Sequence, residues 1–265
     1  MIHRQLVQMS DQKPDVLALI PARGGSKSIP RKNVIEVGGH PLIFYSIDQA
    51  LQCTNITRVI VTTDDDEIAK AALDSGAEVP FERPSELATD TAQDIGVFRH
   101  ALEWLEEHES YVPELVVHLR PTGPIRKVEL IDQSVEMMLA NPEADSLRSM
   151  SIAELTPYKM WHIDGDIASP VVVDPNNSES HSAPRQSLPP VFWQNGYVDV
   201  LRPRTVLEMN SMVGNRVLPF VISEPIYELD YPDDIPGLEA ALAARSSNDP
   251  PNPTDTTSSG IRHAR

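Results

Sequence analysis

Short runs of aliphatic residues alternate with helix-length segments over the first 150 residues of the chain, and this order limits the folds it can adopt. The runs VLALIP (16–21), RVIVTT (58–63) and LVVHL (115–119) are rich in aliphatic and β-branched residues and are too short for helices. Apolar residues recur at helical spacing in four longer segments, which span 41–53, 64–76, 91–108 and 127–141. We therefore predict an α/β fold with a doubly wound, mainly parallel mixed sheet covered on both faces.

The pattern changes after residue 150, where short extended pieces and turns replace the helices. MWHIDGDIASPVVV (160–173) predicts a small hairpin that turns at Asp164-Gly165, within an extension at about 151–200. The runs at 192–201 and 217–222 have strand character again. We expect the hairpin to project from the sheet and to carry an apolar side.

The chain is predicted to form one domain at 15–245, which closes with a helix near 233–245. The two ends, 1–14 and 246–265, are polar and can bury almost no apolar surface. Both ends are therefore expected to be disordered.

Charge and cysteine content restrict the function classes. The chain carries 39 acidic and 22 basic residues, a net charge of −17, which argues against nucleic-acid or membrane partners. Cys53 is the only cysteine, so neither an intrachain disulfide nor a thiolate metal cluster can form. The N-terminus lacks an apolar signal-peptide core, and no run approaches the ~20 apolar residues of a membrane span. We expect a cytoplasmic protein.

The loop after the first strand, ARGGSKSIPRKN (22–33), combines two adjacent glycines with four cations. The cations are Arg23, Lys27, Arg31 and Lys32. Ligands of open α/β sheets bind at the carboxyl ends of strands, and Gly24 and Gly25 can turn backbone N–H groups toward an oxygen. The loop therefore predicts a phosphate site, with a flexible basic surface loop as the alternative. It matches neither GxxxxGK[ST] nor GxGxxG, which argues against a P-loop ATPase or a dinucleotide enzyme.

IPARGGSKSIPRKN (20–33) closely resembles the N-terminal signature of the acylneuraminate cytidylyltransferases and their bacterial relatives for legionaminic, pseudaminic and 3-deoxy-octulosonic acids. The resemblance continues through ERPSELATDTAQD (82–94), LRPTGPIR (119–126), TPYKMW (156–161), PRQSLPPVFWQNG (184–196) and YELDYPDD (227–234). It implies a sheet of the nucleotide-diphospho-sugar transferase type. It also implies an enzyme that transfers CMP from CTP to the hydroxyl of a 2-keto-3-deoxy sugar acid and releases pyrophosphate.

The resemblance assigns a nucleotide site, with Arg23 and Lys32 as its catalytic residues. The matching positions are Ala22, Arg23, Gly24, Gly25, Ser26, Lys27, Lys32, Asn33, Arg83, Ala92 and Asp94. Arg83 and Asp94 would face the base, since a guanidinium can donate to cytosine's acceptor edge and a carboxylate can accept from its amine. The simpler alternatives are a surface ion pair for Arg83 and a first-turn helix acid for Asp94. Ser28 stands where the family usually has Gly.

For a metal cofactor, Mg²⁺ or Mn²⁺, the resemblance points to Glu228 and Asp230. Two carboxylates one residue apart on an extended segment suffice when phosphate oxygens and water complete the shell. Glu228 stands where the family usually has Asp. An acid cluster at a helix start is the alternative, and it suits Asp233 and Asp234 better.

On the acceptor side, the matching residues are Arg120, Lys159, Arg185, Gln186, Asn195 and Asp199. Two of them depart from the sialic acid pattern, because Arg120 stands where those enzymes often have Gln and Asp199 where they often have Tyr. Gly123 also replaces a frequent Ser. Losing a ring and gaining a carboxylate should change the tolerated sugar substituents, so we expect an acceptor other than ordinary N-acetylneuraminate.

The expected ligands are CTP and an acidic small-molecule acceptor. In the family an extension like 151–200 packs against a second subunit and helps to complete the acceptor site. The resemblance therefore implies a homodimer.

Three other functions stay open. Asp64-Asp65-Asp66 fits the D-x-D motif of a metal-dependent glycosyltransferase of similar fold, although it could simply cap the helix that follows. A cytidylyltransferase acting on a small phosphonate would share the chemistry and change the acceptor. A noncatalytic nucleotide sensor would bind CTP without turnover.

Overall fold

The computed structural model of the protein describes residues 13–246. Its strands are β1 Val16–Pro21, β2 Glu36–Val37, β3 His40–Pro41, β4 Arg58–Thr62, β5 Leu115–His118, β6 Ser146–Ile152, β7 Trp161–Asp164, β8 Ile167–Pro170, β9 Phe192–Leu201 and β10 Val217–Val221. Its α-helices are α1 Leu42–Gln52, α2 Asp66–Asp74, α3 Asp94–Glu109, α4 Val128–Leu139, α5 Pro203–Leu207 and α6 Ile235–Ser246. The ends expected to be disordered, 1–14 and 246–265, lie outside the described residues except for 13, 14 and 246, so that expectation stays a prediction.

Six strands form one mixed sheet in the order β10-β6-β9-β5-β1-β4. β1 runs parallel to β4 and β5, and β6 runs parallel to β10, whereas β9 runs antiparallel to both of its neighbours. The predicted mainly parallel α/β sheet is confirmed. Because β1, β4 and β5 are mutually parallel, the loops that follow them converge at one edge of the sheet.

Alternating side chains of β1 explain why the sheet is covered on both faces. Ala18 and Ile20 pack in the core formed with α1, α2 and α4, whereas Leu17 and Leu19 pack in the core formed with α3 and α5. All four side chains are fully buried. A strand that is apolar at every position can satisfy both cores, which is why VLALIP lacks polar residues.

A third apolar cluster anchors two segments that matter for the cleft. Ile29 belongs to the loop after β1, and Leu229 belongs to the extended segment before α6. Both pack with Leu42 of α1 and with Leu238 of α6, and both are almost completely buried. The cluster thereby ties the glycine-rich loop and the acidic segment 227–234 to the same support.

The extension contains the predicted hairpin, formed by β7 and β8 with Ile163 opposite Ala168. Its large apolar side chains are solvent-exposed, with Ile163 80% and Ile167 71% exposed.

Within residues 13–246, no helix is both long and apolar enough to cross a bilayer.

Candidate functional site

A cleft of about 330 Å³ opens where the carboxyl ends of β1 and β5 meet. Most of its wall comes from the loop after β1, the segment before α3 and the loop after β5. The lining residues are Pro21, Arg23, Gly25, Ser26, Lys32, Asn33, Arg83, Leu87, Thr89, Asp90, Ala92, Asp94, Val97, His118, Arg120, Pro121 and Thr122. Three motifs far apart in the sequence therefore meet at one place, as strand order predicts for an α/β sheet.

Backbone N–H groups of the glycine-rich loop donate hydrogen bonds to residues at the end of β4 and just after it. The Ala22 N–H donates to the carbonyl of Thr62 at 3.0 Å, and the Gly24 N–H donates to Asp64 Oδ1 at 2.9 Å. A Cβ on Gly24 would lie only 2.7 Å from Asp65 Oδ2, so a side chain at this position would have to displace Asp65. By contrast, no described atom lies within 4 Å of a Cβ built on Gly25, which faces the open cleft.

The cations of this loop divide into two groups. Arg23 and Lys27 both pair with Asp90, at 3.0 Å and 2.6 Å. Lys32 is only 9% exposed, and its Nζ lies 3.3 Å from Asp230 Oδ1. Arg23 and Lys32 thus flank the cleft, and the Arg23 backbone carbonyl is fixed by the Asn33 amide at 2.9 Å.

Arg31 and Lys27 contribute less to the cleft than the sequence pattern suggested. Arg31 turns outward and pairs with Asp65 and Glu67 at the start of α2. The Lys27 side chain is 82% exposed. Among the predicted nucleotide residues, Ala22, Gly24 and Lys27 do not form part of the cleft lining; Ala22 and Gly24 shape the loop from beneath.

Arg83 forms part of the opposite wall and is 3% exposed. Its guanidinium donates to the hydroxyl and the carbonyl of Thr62, and burial lowers its pKa to about 10. The surface ion pair considered as an alternative is therefore wrong, because the side chain is inside the protein. Asp94 begins α3, as the first-turn alternative expects, and Asp94 and Ala92 also line the cleft.

The acidic pair lies beside the cleft on an extended segment. Leu229, between the two acids, is fully buried, and its N–H donates to the Thr122 carbonyl at 2.8 Å. Burial raises the pKa of Glu228, and the charge of Asp230 raises it further. Asp234 accepts from the Asp230 and Tyr231 N–H groups, so the helix-start role belongs to Asp234.

Carboxylates are the donors that a hard divalent cation prefers, and two of them with mutually unfavourable charge fit such an ion. The described residues 13–246 contain no group of three or more His, Cys, Asp or Glu side chains placed to share a metal. A cation held by Glu228 and Asp230 would therefore need ligand oxygens as well.

The predicted acceptor residues fall into three settings. Arg120 lines the cleft. Asn195 and Asp199 are buried and already hydrogen-bonded within the fold: the Asn195 amide donates to Ser151 Oγ at 2.8 Å and accepts from the Tyr197 N–H. Lys159, Arg185 and Gln186 are exposed on the extension, outside the cleft lining.

Asp199 corrects one expectation. The sequence placed it at a position that contacts the sugar, yet its carboxylate is fully buried and bonded to Arg120 Nη1 at 2.8 Å and Arg148 Nη1 at 2.5 Å. A direct contact with a ligand is not possible in this arrangement, because Asp199 is fully buried and its partner Arg120 forms the cleft wall.

Two residues beneath the cleft have no part in the sequence-based assignments, namely Arg148 and His118. Both are buried, and His118 packs edge-on against Phe98 with ring centroids 4.7 Å apart. Within residues 13–246, neither ring nitrogen of His118 has a hydrogen-bond partner. The one available signal for Arg148 was a lone cation in the strand SLRSMSI (146–152).

The acidic triplet 64–66 is explained by capping. Asp65 accepts from the Glu67 and Ile68 N–H groups as the N-cap of α2. Asp64 supports the glycine-rich loop. These contacts favour the capping alternative over a D-x-D motif.

Comparison with known proteins gives consistent results. The profile of a family described as Cytidylyltransferase matches residues 17–181. CMP-N,N'-diacetyllegionaminic acid synthase of Legionella pneumophila is 31% identical over 224 residues, covering 83% of this chain and 92% of that enzyme. Pseudaminic acid cytidylyltransferase of Campylobacter jejuni is 40% identical over 125 residues, 47% of this chain and 53% of that enzyme. The match to this second relative thus spans about half of its length.

Among solved structures, CMP:2-keto-3-deoxy-manno-octonic acid synthetase complexed with CTP superposes with a TM-score of 0.63. The sequences are 18% identical, and the superposition covers 87% of this chain and 99% of that one. At this identity the likeness establishes the fold.

Proposed function

Because this chain belongs to the cytidylyltransferase family, we propose that it transfers CMP from CTP to the hydroxyl of a 2-keto-3-deoxy sugar acid of the nonulosonic type. The acceptor oxygen bonds to the α-phosphorus, the bond from that phosphorus to the bridging oxygen breaks, and pyrophosphate leaves. The proton of the acceptor hydroxyl passes to solvent water. The observation that carries the proposal is the convergence of the glycine-rich loop, Arg83 and Arg120 around one cleft at the carboxyl ends of β1 and β5.

The triphosphate would lie against Gly25, Ser26 and Asn33, between Arg23 and Lys32. Transfer to phosphate oxygens depends on positioning and on neutralising charge at the leaving group, which are the tasks of fixed N–H groups and cations. Asp90 holds Arg23 when phosphate is absent, and this half-exposed ion pair contributes little energy, so a phosphate can replace it.

The base would lie toward Arg83 and Asp94. The buried Arg83 guanidinium donates two hydrogen bonds to Thr62, which fix it in place, and it still lines the cleft with its positive charge. Asp94 could accept from an exocyclic amine, which cytosine has and uracil lacks. This pair supports a preference for CTP over UTP.

A divalent cation, Mg²⁺ or Mn²⁺, would be held by Glu228 and Asp230, and when bound it would neutralise charge on the phosphates. Asp230 already lies beside Lys32, so the acid that holds the ion and the cation that holds the phosphate are neighbours. A Cβ built on Gly196 would lie 3.3 Å from the Glu228 carboxylate and would also contact Arg120. Glu228 and Arg120 therefore lie on the same side of Gly196.

The active form would be a homodimer. Large apolar side chains cluster on the extension and the adjacent ends of β6 and β9; those at least 42% exposed are Ile152, Leu155, Met160, Trp161, Ile163, Ile167, Val171, Val173, Phe192 and Trp193. A patch of this kind favours a protein partner. A second copy would cover it and could bring Lys159, Arg185 and Gln186 toward an acceptor site. Because the reaction consumes CTP, we place the enzyme in the cytoplasm.

Pyrophosphate release tests the proposal directly. The protein is incubated with CTP and Mg²⁺ and with each of pseudaminic, N,N'-diacetyllegionaminic, N-acetylneuraminic and 3-deoxy-octulosonic acids, and separately with small phosphonates. We expect release with a sugar acid other than N-acetylneuraminate as the preferred substrate. Release only with phosphonates would favour a phosphonate acceptor. No release from CTP, with consumption of a nucleotide sugar added separately, would favour the glycosyltransferase, and tight CTP binding without turnover would favour the noncatalytic sensor.

A further inference from the structure

A row of three buried polar side chains crosses the sheet beneath the cleft. Asp199 on β9 is the direct cross-strand partner of His118 on β5 and of Arg148 on β6. The three residues are at most 4% exposed. Burying polar side chains costs folding free energy unless they are paired, so the contacts of these residues indicate their role.

Asp199 is the centre of these contacts. Its Oδ2 accepts from Arg120 Nη1 at 2.8 Å and from Gln194 Nε2 at 3.2 Å, and it forms an ion pair with Arg148 Nη1 at 2.5 Å. Arg148 also donates to the backbone carbonyl of Met212. Arg148 lies beside Asp199 on the neighbouring strand and is not part of the cleft lining, whereas Arg120 is, so Arg120 is the partner of Asp199 that a ligand can reach.

The Arg120 residue is fixed at both ends. Its carbonyl accepts from Ser46 Oγ at 3.2 Å and from Arg126 Nη2 at 2.7 Å, and its guanidinium is bonded to Asp199. The other terminal nitrogen, Nη2, faces the side of the cleft where Asp94 lies 3.9 Å away. The side chain is 28% exposed, which leaves part of the guanidinium open to a ligand.

Two guanidinium groups share one buried carboxylate, so the network carries an excess positive charge. His118 stays neutral, because burial and then the charges of Arg120, Arg148 and Arg126 lower its pKa well below the ordinary value. The acids nearest to Arg120 are Asp94, about half exposed, and Glu228, at the rim. A buried cationic excess that ends in a cleft-lining guanidinium favours an anionic ligand at that point.

We propose that Asp199, backed by Arg148, is a positioning residue that holds the Arg120 guanidinium as the donor for the acceptor's carboxylate. This inference rests on the proposed function, since it assigns part of the same site. A free arginine loses considerable side-chain entropy when it binds a carboxylate, and Asp199 removes that cost in advance. Asp199 thus selects an acidic acceptor without touching it.

A double-mutant cycle on acceptor turnover tests the proposal. Asp199→Asn, Arg120→Gln and the double variant are compared with wild type, using CTP and each of pseudaminic, N,N'-diacetyllegionaminic and N-acetylneuraminic acids. Each single change is expected to raise the acceptor KM about 10-fold or more and to leave the CTP KM within about twofold. The double variant is expected to be no worse than Arg120→Gln alone, because Asp199 acts through Arg120.

Asp145→Asn is the matched control. Asp145 is also a buried aspartate, but it accepts from the Asn215 and Arg216 N–H groups at 2.9 Å, at the opposite end of β6 from the cleft. We expect this control to lower the melting temperature while both KM values stay unchanged. If Asp199→Asn behaves in the same way, or if its effect on acceptor kcat/KM multiplies with that of Arg120→Gln, the positioning role is overturned.

A second readout does not require turnover. In protein labelled with ¹⁵N-arginine, the Arg120 side-chain signal is identified by its loss in Arg120→Gln. We expect slow rotation of this guanidinium in wild type and fast rotation in Asp199→Asn. Slow rotation in both proteins would overturn the inference even if the enzyme is active. Slow rotation in wild type alone, together with no turnover, would count against the proposed function and leave the positioning role intact.

Discussion

At the scale of single residues, the charges around the cleft differ in how firmly they are held. Arg23 pairs with Asp90, whose side chain is 40% exposed, and this contact can be exchanged for a phosphate at little cost. Arg120 is instead bonded to a fully buried carboxylate, which we expect to hold it in place with or without a ligand. The proposed site therefore combines a weakly held cation, which a phosphate could release from its partner, with one guanidinium that is held by a buried carboxylate.

The sequence could predict which residue types gather at the cleft but not how they pair. Arg23, Lys32 and Arg83 were found from the loop pattern and the family resemblance, and they do flank the cleft. The burial of Asp199 could not be predicted, because its partners are far away in the sequence: Arg120, in the loop after β5, is 79 residues away, and Arg148, on β6, is 51 residues away. Only the sheet order brings them together.

Lys32→Gln is expected to reduce kcat/KM for pyrophosphate release about 100-fold, because it removes a nearly buried cation next to the phosphates. The neighbouring Arg31→Gln removes an equal charge that points outward toward Asp65 and Glu67. Steady-state kinetics of the two variants should differ by at least about 10-fold. Equal losses would show that loop charge alone matters, and would contradict the assignment of Lys32.

The dependence on the divalent cation should vary with pH. Since burial and Asp230 raise the pKa of Glu228, this carboxylate protonates at a higher pH than an ordinary glutamate. Lowering the pH from neutral toward the range where glutamates titrate should raise the Mg²⁺ concentration for half-maximal turnover, because the ion competes with the proton. In Asp230→Asn, the remaining dependence should shift to lower pH. A half-saturating Mg²⁺ concentration independent of pH in wild type would count against Glu228 as a ligand.

At the scale of elements, the glycine-rich loop shows what local sequence can and cannot determine. The strand before it and the helix after it follow from apolar periodicity, and the structure confirms both within a residue or two. Gly24 and Gly25 look equivalent in the sequence, yet one packs on Asp65 and the other faces the cleft. The difference arises because α2, which begins about 40 residues later, supplies the surface beneath Gly24.

Alanine should therefore affect protein stability at Gly24 and CTP binding at Gly25. Gly24→Ala forces a Cβ against Asp65 and is expected to destabilise the protein by about 2 kcal/mol in urea unfolding. Gly25→Ala meets no described atom, so the stability should change by less than about 0.5 kcal/mol while the KM for CTP rises. An unchanged CTP KM in Gly25→Ala would contradict the placement of the triphosphate at this loop.

The extension is the element whose role was hardest to predict. Its hairpin could be recognised from turn residues and alternation, but where Lys159 and Arg185 reach depends on what covers the exposed apolar surface. Within residues 13–246, the Arg185 guanidinium donates to the carbonyl of Ala153 at 3.1 Å, inside the extension itself. A partner surface is not encoded in any local pattern, which is why the acceptor side is less complete than the nucleotide side.

At the scale of the whole molecule, the sheet order makes one edge functional. Strands β1, β4 and β5 are parallel and adjacent, so the loop after β1, the base of α2 and Arg120 share that edge. The antiparallel strand β9 then inserts between β5 and β6 and brings Asp199 under the cleft. The alternation of strands and helices was enough to predict the parallel part, whereas the insertion of β9 was not predicted.

The proposed dimer can be tested on the hairpin. Ile163→Glu places a charge on an apolar side chain that is 80% exposed, and is expected to convert the dimer to a monomer with little change in the unfolding transition. Leu73→Glu is the matched control, because Leu73 on α2 is also exposed, at 58%, but lies outside the extension. Multi-angle light scattering should report a dimer for wild type and for Leu73→Glu. A wild-type monomer at micromolar concentration would contradict the proposal.

The central claim, transfer of CMP from CTP to a sugar acid, is tested most directly by ³¹P NMR of the reaction mixture. With CTP, Mg²⁺ and the preferred sugar acid, we predict that the three CTP signals decline while a single phosphodiester signal and pyrophosphate appear in equal amounts. The Lys32→Gln protein should slow both signals together. CTP that is bound but unchanged, or CMP and pyrophosphate released without the phosphodiester, would contradict the account.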